Sequence, residues 1–391
     1  MKNFTFYSPT YFAFGDGQET LTGELVRRFG GSRVLLHYGG GSIKRNGAYD
    51  AVCTSLKDAG IYFTELGGVC PNPRSGLVYE GIELCRKEKL DFVLAVGGGS
   101  TIDSAKAIAV GVPYDGDFWD FFSGKASPSA CLPVGTVLTI PAAGSEGSPN
   151  VVITHESANL KWGIPANDLL RPRFSVLNPR YTCSLPAYQT ACGATDMMAH
   201  IFERYFTNTP DVEITDSLCE AVLKTIVDCA PRAISKPDDY AARANLMWAG
   251  MLAHNNSLGV GREQDWSSHQ IEHELSALND CAHGAGLAVV MPAWMEYVME
   301  HGIERFARLA VRVWGCEMDF VHPELTARQG ISCFRAFLSS IGMPQTLLDL
   351  EIGKDSIPAM VEHRRLKGFP FGCYVSIDET AMADILHLAL G

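Results

Sequence analysis

Along the first half of the chain, short apolar runs alternate with longer segments that are apolar on one side and polar on the other. RVLLHY (33–38) is a run of strand length that ends at Gly39-Gly40-Gly41-Ser42 and leads into a helix-like segment reaching about Gly60. The unit then recurs. Residues 61–66 predict a strand and 76–89 a helix. DFVLAV (91–96) predicts a buried strand, which runs into Gly97-Gly98-Gly99-Ser100 and a helix from Thr101 to about Val110. A further strand is predicted over 131–140. Strand–helix alternation of this kind gives a largely parallel sheet covered by helices on both faces.

After about Leu185 the strand signals fade. Ser184 followed by Pro186 predicts a helix start by N-cap and first-turn chemistry. Helical periodicity then covers roughly 187–206, 211–234, 239–255, 267–278, 285–299 and 303–314, with more helix after Pro323, near Ser356 and near Asp378. At 391 residues the chain is too long for one core. The pattern predicts an α/β domain over 1–184 and an all-helical domain over 185–391, with a cleft between them.

The two strand–GGGS–helix junctions are the informative feature of the first half. Glycines between a strand end and a helix start let backbone N–H groups and the positive helix end approach a phosphate closely. Two such junctions at equivalent strand ends point to a nucleotide, through Gly39, Gly40, Ser42, Gly97, Gly98, Gly99 and Ser100. Neither fits GxGxxG, because the sixth position is Lys44 in one and Ile102 in the other. A Rossmann-like dinucleotide-binding domain with a non-standard fingerprint is therefore expected. No acid follows the first junction, whereas Lys44 and Arg45 lie just beyond it. That arrangement tolerates a ribose 2′-phosphate, so NADP is expected, with NAD possible. The small, bend-forming stretch LTIPAAGSE (138–146) suits a loop around the cofactor. Asp103 either caps its helix or bonds the nicotinamide amide or the substrate. Lys161 is either a cofactor contact or a solvated surface residue.

The second half carries residues of a different chemistry. Asp196 and His200 are four apart in ATDMMAHIFERYF, His269 and His273 repeat the spacing in SHQIEHELSAL, and His283 follows in NDCAHGAG. Residues four apart share a helix face, so each pair can converge on one point. A carboxylate with imidazoles suits a borderline divalent cation, Fe2+ or Zn2+. His254 and Cys281 compete for a place among the ligands, although Cys281 also suits a small buried apolar position.

Composition narrows the function classes. A net charge of −12 with no long basic run argues against nucleic acid and against an anionic membrane surface. No apolar stretch approaches the ~18 residues of a membrane span. The 12 cysteines are scattered without a CxxC pair, which predicts reduced thiols in a cytoplasmic protein, and MKNFTFYSPT has no signal-peptide pattern.

Taken together, D-x3-H … H-x3-H-x9-H after a GGGS-containing α/β half resembles the iron-containing (group III) alcohol dehydrogenase family. VGGGSTIDSAKAIA (96–109), QDWSSHQIEHELSA (264–277) and YGGGSIKRNG (38–47) bring it closest to the branch of butanol dehydrogenases and NADPH-dependent aldehyde reductases. The resemblance covers the whole chain. It implies one divalent cation on Asp196, His200, His269 and His283, and an active-site role for His273 that is not ligation. It also implies pyrophosphate contacts at Gly97, Gly98, Gly99 and Ser100, and an acid near the nicotinamide at Asp103. The family often has aspartate where Gly39 or Gly40 stands, so glycine there agrees with NADP. A threonine common in its cofactor loop is Ala143 here, while Thr139 is retained. The implied activity is hydride transfer between NAD(P)H and a small alcohol or aldehyde, with His273 as a proton relay. Trp266, Phe118 and Trp162 suggest a short aliphatic or aromatic substrate, and exposed edges of the first sheet suit a homodimer. The alternatives are a dehydroquinate-synthase-type lyase, which expects a glutamate ligand and a basic pocket, and a metallohydrolase.

Overall fold

The computed structural model describes residues 1–391. Its strands are β1 (Tyr11–Phe14), β2 (Arg33–Tyr38), β3 (Tyr62–Leu66), β4 (Phe92–Gly97), β5 (Val134–Leu138), β6 (Val151–His155), β7 (Leu160–Ile164) and β8 (Phe174–Leu177). Six of them form a sheet in the order β1-β8-β5-β4-β2-β3, and every pairing in it is parallel. β6 and β7 pair separately as an antiparallel hairpin. Neither this hairpin nor β1 and β8 stands out in the apolar pattern. β1 and β8 are only four residues long, and the residues before Val134 that were expected in a strand lie outside β5.

The side-chain alternation explains why the sheet is covered twice. Val34 and Leu36 of β2, with Phe92, Leu94 and Val96 of β4, enter one buried cluster. Leu35, Val93 and Ala95 enter the other. The covering helices are α1 (Thr22–Arg28), α2 (Ser42–Arg45), α3 (Ala48–Asp58), α4 (Ser75–Glu88), α5 (Gly99–Gly111) and α6 (Trp119–Phe122). After β2 the chain goes to β3 on one side and then to β4 on the other. The sheet thus reverses its winding between β2 and β4, the position where open α/β sheets bind ligands beyond their strand ends. Tyr38 is registered with Val96, so Gly39 and Gly97 leave the sheet side by side.

The remaining helices are α7 (Ala187–Tyr205), α8 (Glu213–Ser235), α9 (Tyr240–His254), α10 (Ser267–Asn279), α11 (His283–Val298), α12 (Ile303–Leu309), α13 (Pro323–Ser340), α14 (Ile357–Arg364) and α15 (Glu379–Leu388). The chain forms two compact units. One comprises 7–185 and 236–255, so α9 lies with the sheet although it follows the expected 184/185 boundary. The other comprises 1–6, 186–235 and 256–391 and is helical. Two local expectations change. Pro186 occupies the N-cap position of α7 with no side-chain cap, while the Ser184 hydroxyl bonds back to Tyr181. The 303–314 segment is helical only to Leu309 and finishes as a wider π turn. No helix is long and apolar enough to cross a membrane.

Candidate metal and nucleotide sites

In the helical unit, three elements bring the expected ligands to one point. α7 contributes Asp196 and His200 from successive turns, α10 contributes His269, and α11 begins at His283. Asp196 Oδ1 lies 3.1 Å from His200 Nδ1, 3.8 Å from His269 Nε2 and 3.6 Å from His283 Nε2. His200 Nδ1 also faces the Asp196 carbonyl oxygen at 2.9 Å, which occupies that nitrogen and leaves Nε2 for a cation. The HGAG sequence (283–286) is what allows this convergence. A Cβ on Gly284 would fall 2.2 Å from the Cys192 carbonyl oxygen, so only glycine lets the start of α11 pack against α7 one turn before Asp196.

Two carboxylates missed by the sequence reading stand behind the histidines. Glu203 accepts from His269 Nδ1–H at 2.8 Å, from the His269 backbone N–H at 3.0 Å and from the Ser268 hydroxyl. Glu272 accepts from His283 Nδ1–H and from the Ser276 hydroxyl. Each carboxylate turns the opposite ring nitrogen, Nε2, toward Asp196. The signal for Glu203 was present, since positions 196, 200 and 203 share a helix face. Asp265 was also missed. It accepts from the Ser267 N–H at the start of α10 and from the Cys373 and Tyr374 N–H groups, tying the C-terminal segment to the helix that carries His269.

The donor set fits a divalent cation. Asp196 Oδ1 and His269 Nε2 are buried without a hydrogen-bond partner, an expensive arrangement unless another group completes their bonding. The crowding also shifts the ionisable groups. Burial works to raise the Asp196 carboxyl, yet His200 and His283 hold it well below the usual range. His200 is pulled down to about 4, first by burial. Burial also acts to lower His269, but the neighbouring Asp196 and Glu203 carboxylates prevail and lift it to about 9.

His273 is half-buried beside His283, with ring centroids 5.8 Å apart. Trp266 begins α10 in a left-handed conformation and sets its ring 5.8 Å from His200 and 5.2 Å from His269. Phe118 and Trp162 instead belong to the packing of the sheet unit. The other two ligand candidates are not in the cluster. His254 lies in the sheet unit with Nε2 2.8 Å from Asn150 Nδ2, and the Cys281 carbonyl and sulfur face Ser276.

The sheet unit holds the glycine junctions. α5 starts at Gly99 with Gly98 as its N-cap residue and no side-chain cap, leaving its first N–H groups open to an anion. The loop after β5 closes over this turn. Thr139 donates its backbone N–H to Gly97, a Cβ on Gly98 would lie 3.1 Å from Ile140, and one on Gly99 would lie 3.1 Å from Ala143. At the other junction, Lys44 Nζ sits over the rings of Tyr38 and Tyr49, 5.6 and 4.7 Å from their centroids. Both phenols donate to Glu65. Ser42 and Gly40 border open space.

Asp103 does not cap α5. Its oxygens accept from the Ser145 hydroxyl and from the Val152 N–H, pinning the loop after β5 and the start of β6. Lys106, one turn on and unnoticed in the sequence, is fully buried. It donates to the Ser145, Ser148 and Asn150 carbonyls and to the Ser145 hydroxyl at 2.7–2.9 Å. Burial brings it down to about 8. Lys161 is buried on β7, where its charge acts on Asp103, so it is not a solvated surface residue.

Comparison with known proteins agrees with this geometry. Residues 9–179 match the iron-containing alcohol dehydrogenase family, and residues 190–390 match the C-terminal region of the Fe-containing alcohol dehydrogenase family. The chain is 44% identical to NADH-dependent butanol dehydrogenase A of Clostridium acetobutylicum, over 93% of this chain and 92% of the relative. It is 36% identical to the NADPH-dependent aldehyde reductase YqhD of Escherichia coli, again over 93% and 92%. The crystal structure of NADH-dependent butanol dehydrogenase A from Thermotoga maritima superimposes with a TM-score of 0.97 at 42% identity, covering 100% of this chain and 99% of that one. The chain belongs to the iron-containing alcohol dehydrogenase family, in its butanol dehydrogenase branch.

Proposed function

We propose that Asp196, His200, His269 and His283 hold one divalent cation, Fe2+ or Zn2+, at which a small aldehyde is reduced or a small alcohol oxidised, with NADP as the preferred cofactor. Family membership makes the chain an NAD(P)H-dependent oxidoreductase and sets aside the lyase and metallohydrolase readings. The observation that carries the metal assignment is the approach of three imidazoles to the buried, unpartnered Asp196 Oδ1.

When bound, the cation supplies Lewis acidity to the substrate oxygen and the nicotinamide supplies or takes the hydride. The protein's own groups do the rest. Held by one carboxylate and three neutral imidazoles, the cation would keep a net positive charge in its immediate shell, with Glu203 and Glu272 one layer farther out, which favours negative charge on a substrate oxygen. His273, half-buried beside His283, relays the substrate proton through its ring nitrogens. Trp266 gives an apolar surface next to His200 and His269 for a short aliphatic or aromatic group. Gly97, Gly98, Gly99 and Ser100 present N–H groups to the pyrophosphate, under the loop of Thr139 that Asp103 and Lys106 secure. On this reading Asp103 positions the loop that covers the cofactor.

The relatives divide between names that specify NADH and names that specify NADPH. NADP is favoured here by glycine in place of an acid at 39 and 40 and by Lys44 at the same strand end, where the neighbouring Glu65 carboxylate is taken up by the Tyr38 and Tyr49 phenols. We further assign a homodimer. β1 is an edge strand that exposes Tyr11 and Phe14, a surface a second copy would cover. Cytoplasmic location accords with twelve free cysteines.

Purified protein loaded with Fe2+ or Zn2+ should consume NADPH stoichiometrically on addition of butyraldehyde, seen as loss of nicotinamide absorbance, and NADH more slowly. No consumption with either metal or cofactor across a panel of short aldehydes would overturn the assignment.

A further inference from the structure

His283 differs from the other three ligand candidates. Its side chain is 26% exposed, against 5–6% for Asp196, His200 and His269, and it enters from a helix start after a short loop. A ligand reached by water and held from one side is the first to let go of a cation. Two features of the sequence act against that. Glu272, fully buried on α10, hydrogen-bonds His283 Nδ1 and also takes the Ser276 hydroxyl. A Cβ on Gly286, one turn after His283, would fall 2.8 Å from Glu272 Cγ and 3.0 Å from its Oε1. Glycine at 286 therefore provides the space through which the Glu272 side chain reaches the imidazole. The carboxylate also lies against the first turn of α11, where the helix end favours negative charge.

From this geometry we infer that Glu272 is the positioning residue that retains the cation. Its hydrogen bond fixes the His283 ring with Nε2 toward Asp196 and strengthens that nitrogen as a donor, with Gly286 and Ser276 as its supports. The inference rests on the assignment of His283 as a ligand. Losing such a support behind a metal-binding histidine costs about 10- to 100-fold in affinity.

The test measures metal affinity and release rate by chelator competition, for the wild type, E272A, E272Q, G286A and H283A. Folding of each variant is verified through nucleotide binding and the melting of the metal-free protein. E272A is expected to lose about 10- to 100-fold in affinity, mostly through faster release. E272Q, which keeps an acceptor, should lose less. G286A should lose affinity although every polar group is still present, and it carries the test if E272A does not fold. A purely structural Glu272 would lower metal-free melting and leave affinity unchanged. If E272A and G286A hold the metal as tightly as wild type while H283A does not, the role of Glu272 is overturned and the ligand set stands. If H283A itself holds it as tightly, the ligand set falls first.

Discussion

The two candidate sites are built on opposite principles. At the ends of β2 and β4 a ligand site is made by leaving side chains out, so that backbone N–H groups and a helix start can approach a phosphate. Among α7, α10 and α11 it is made by crowding ionisable side chains together, each buried group relying on the next. The first should fail when atoms are added and the second when they are removed. Each failure should leave the other site working.

The largest expected effect is at the crowded site. His269→Ala removes a proposed ligand and leaves Glu203 buried without the imidazole that now holds its carboxyl low against burial. Metal content should fall to background and kcat/KM by roughly a thousandfold or more, the scale on which losing charge stabilisation at a reacting oxygen acts. NADPH affinity, read by fluorescence titration, should stay within about twofold, because the glycine junctions belong to the other unit. A metal-free His269→Ala protein with full turnover would remove the basis of the comparison.

Next in size is Lys106→Met, which tests whether the backbone site is as self-supporting as its glycines suggest. Its ammonium bonds four oxygens of the segment between β5 and β6 and lies near the buried carboxyls of Asp103 and Glu146. Removing one partner from such a buried set costs about 3–5 kcal/mol. Thermal melting should drop and NADPH should bind more weakly, with metal affinity unchanged. Burial raises Glu146 from 4.5 to about 7 despite Lys106. A carboxyl raised on folding supports the fold while protonated, so that support is lost as pH climbs through that window. Glu146→Gln should therefore recover part of the Lys106→Met loss at pH 8 and much less at pH 5. Equal recovery at both values would exclude Glu146 as the source.

The same contrast explains what could be read from the sequence. The pairs Asp196/His200 and His269/His273 were legible because residues four apart share a helix face, whereas the choice of His269 and His283 over His273 came from the family resemblance, since His283 begins a separate helix. The glycine junctions were legible because each follows a strand. Glu203 and Glu272 were overlooked because a glutamate in a helix is ordinary, and only the fold shows that these two are buried behind histidines. Lys106 was hidden in the same way. Asp103 was legible as important, but its bonds to Ser145 and Val152 depend on a loop some forty residues away. The return of 236–255 to the sheet unit was not legible either, because α9 has an ordinary helical pattern and nothing local shows which core it joins. Local periodicity marked the helices and the central strands but not β1, β6, β7 or β8, and long-range partners came only with the fold.

The smallest expected effect concerns cofactor choice, and it depends on where an atom is added. A Cβ at Gly40 meets nothing within 4 Å, whereas one at Gly39 would lie 3.1 Å from the Val69 carbonyl oxygen. Gly40→Asp should fit without moving the backbone and bring a carboxylate to the strand end that carries Lys44. There it can accept from ribose hydroxyls and repel a 2′-phosphate. The ratio of kcat/KM for NADPH over NADH should fall by about tenfold, equivalent to about 1.4 kcal/mol. Gly39→Asp places the same charge nearby but crowds the Val69 carbonyl, so it should weaken both cofactors as well as shift the ratio. An unchanged ratio in Gly40→Asp, with binding intact, would show that this strand end does not meet the adenosine ribose and would withdraw the preference for NADP.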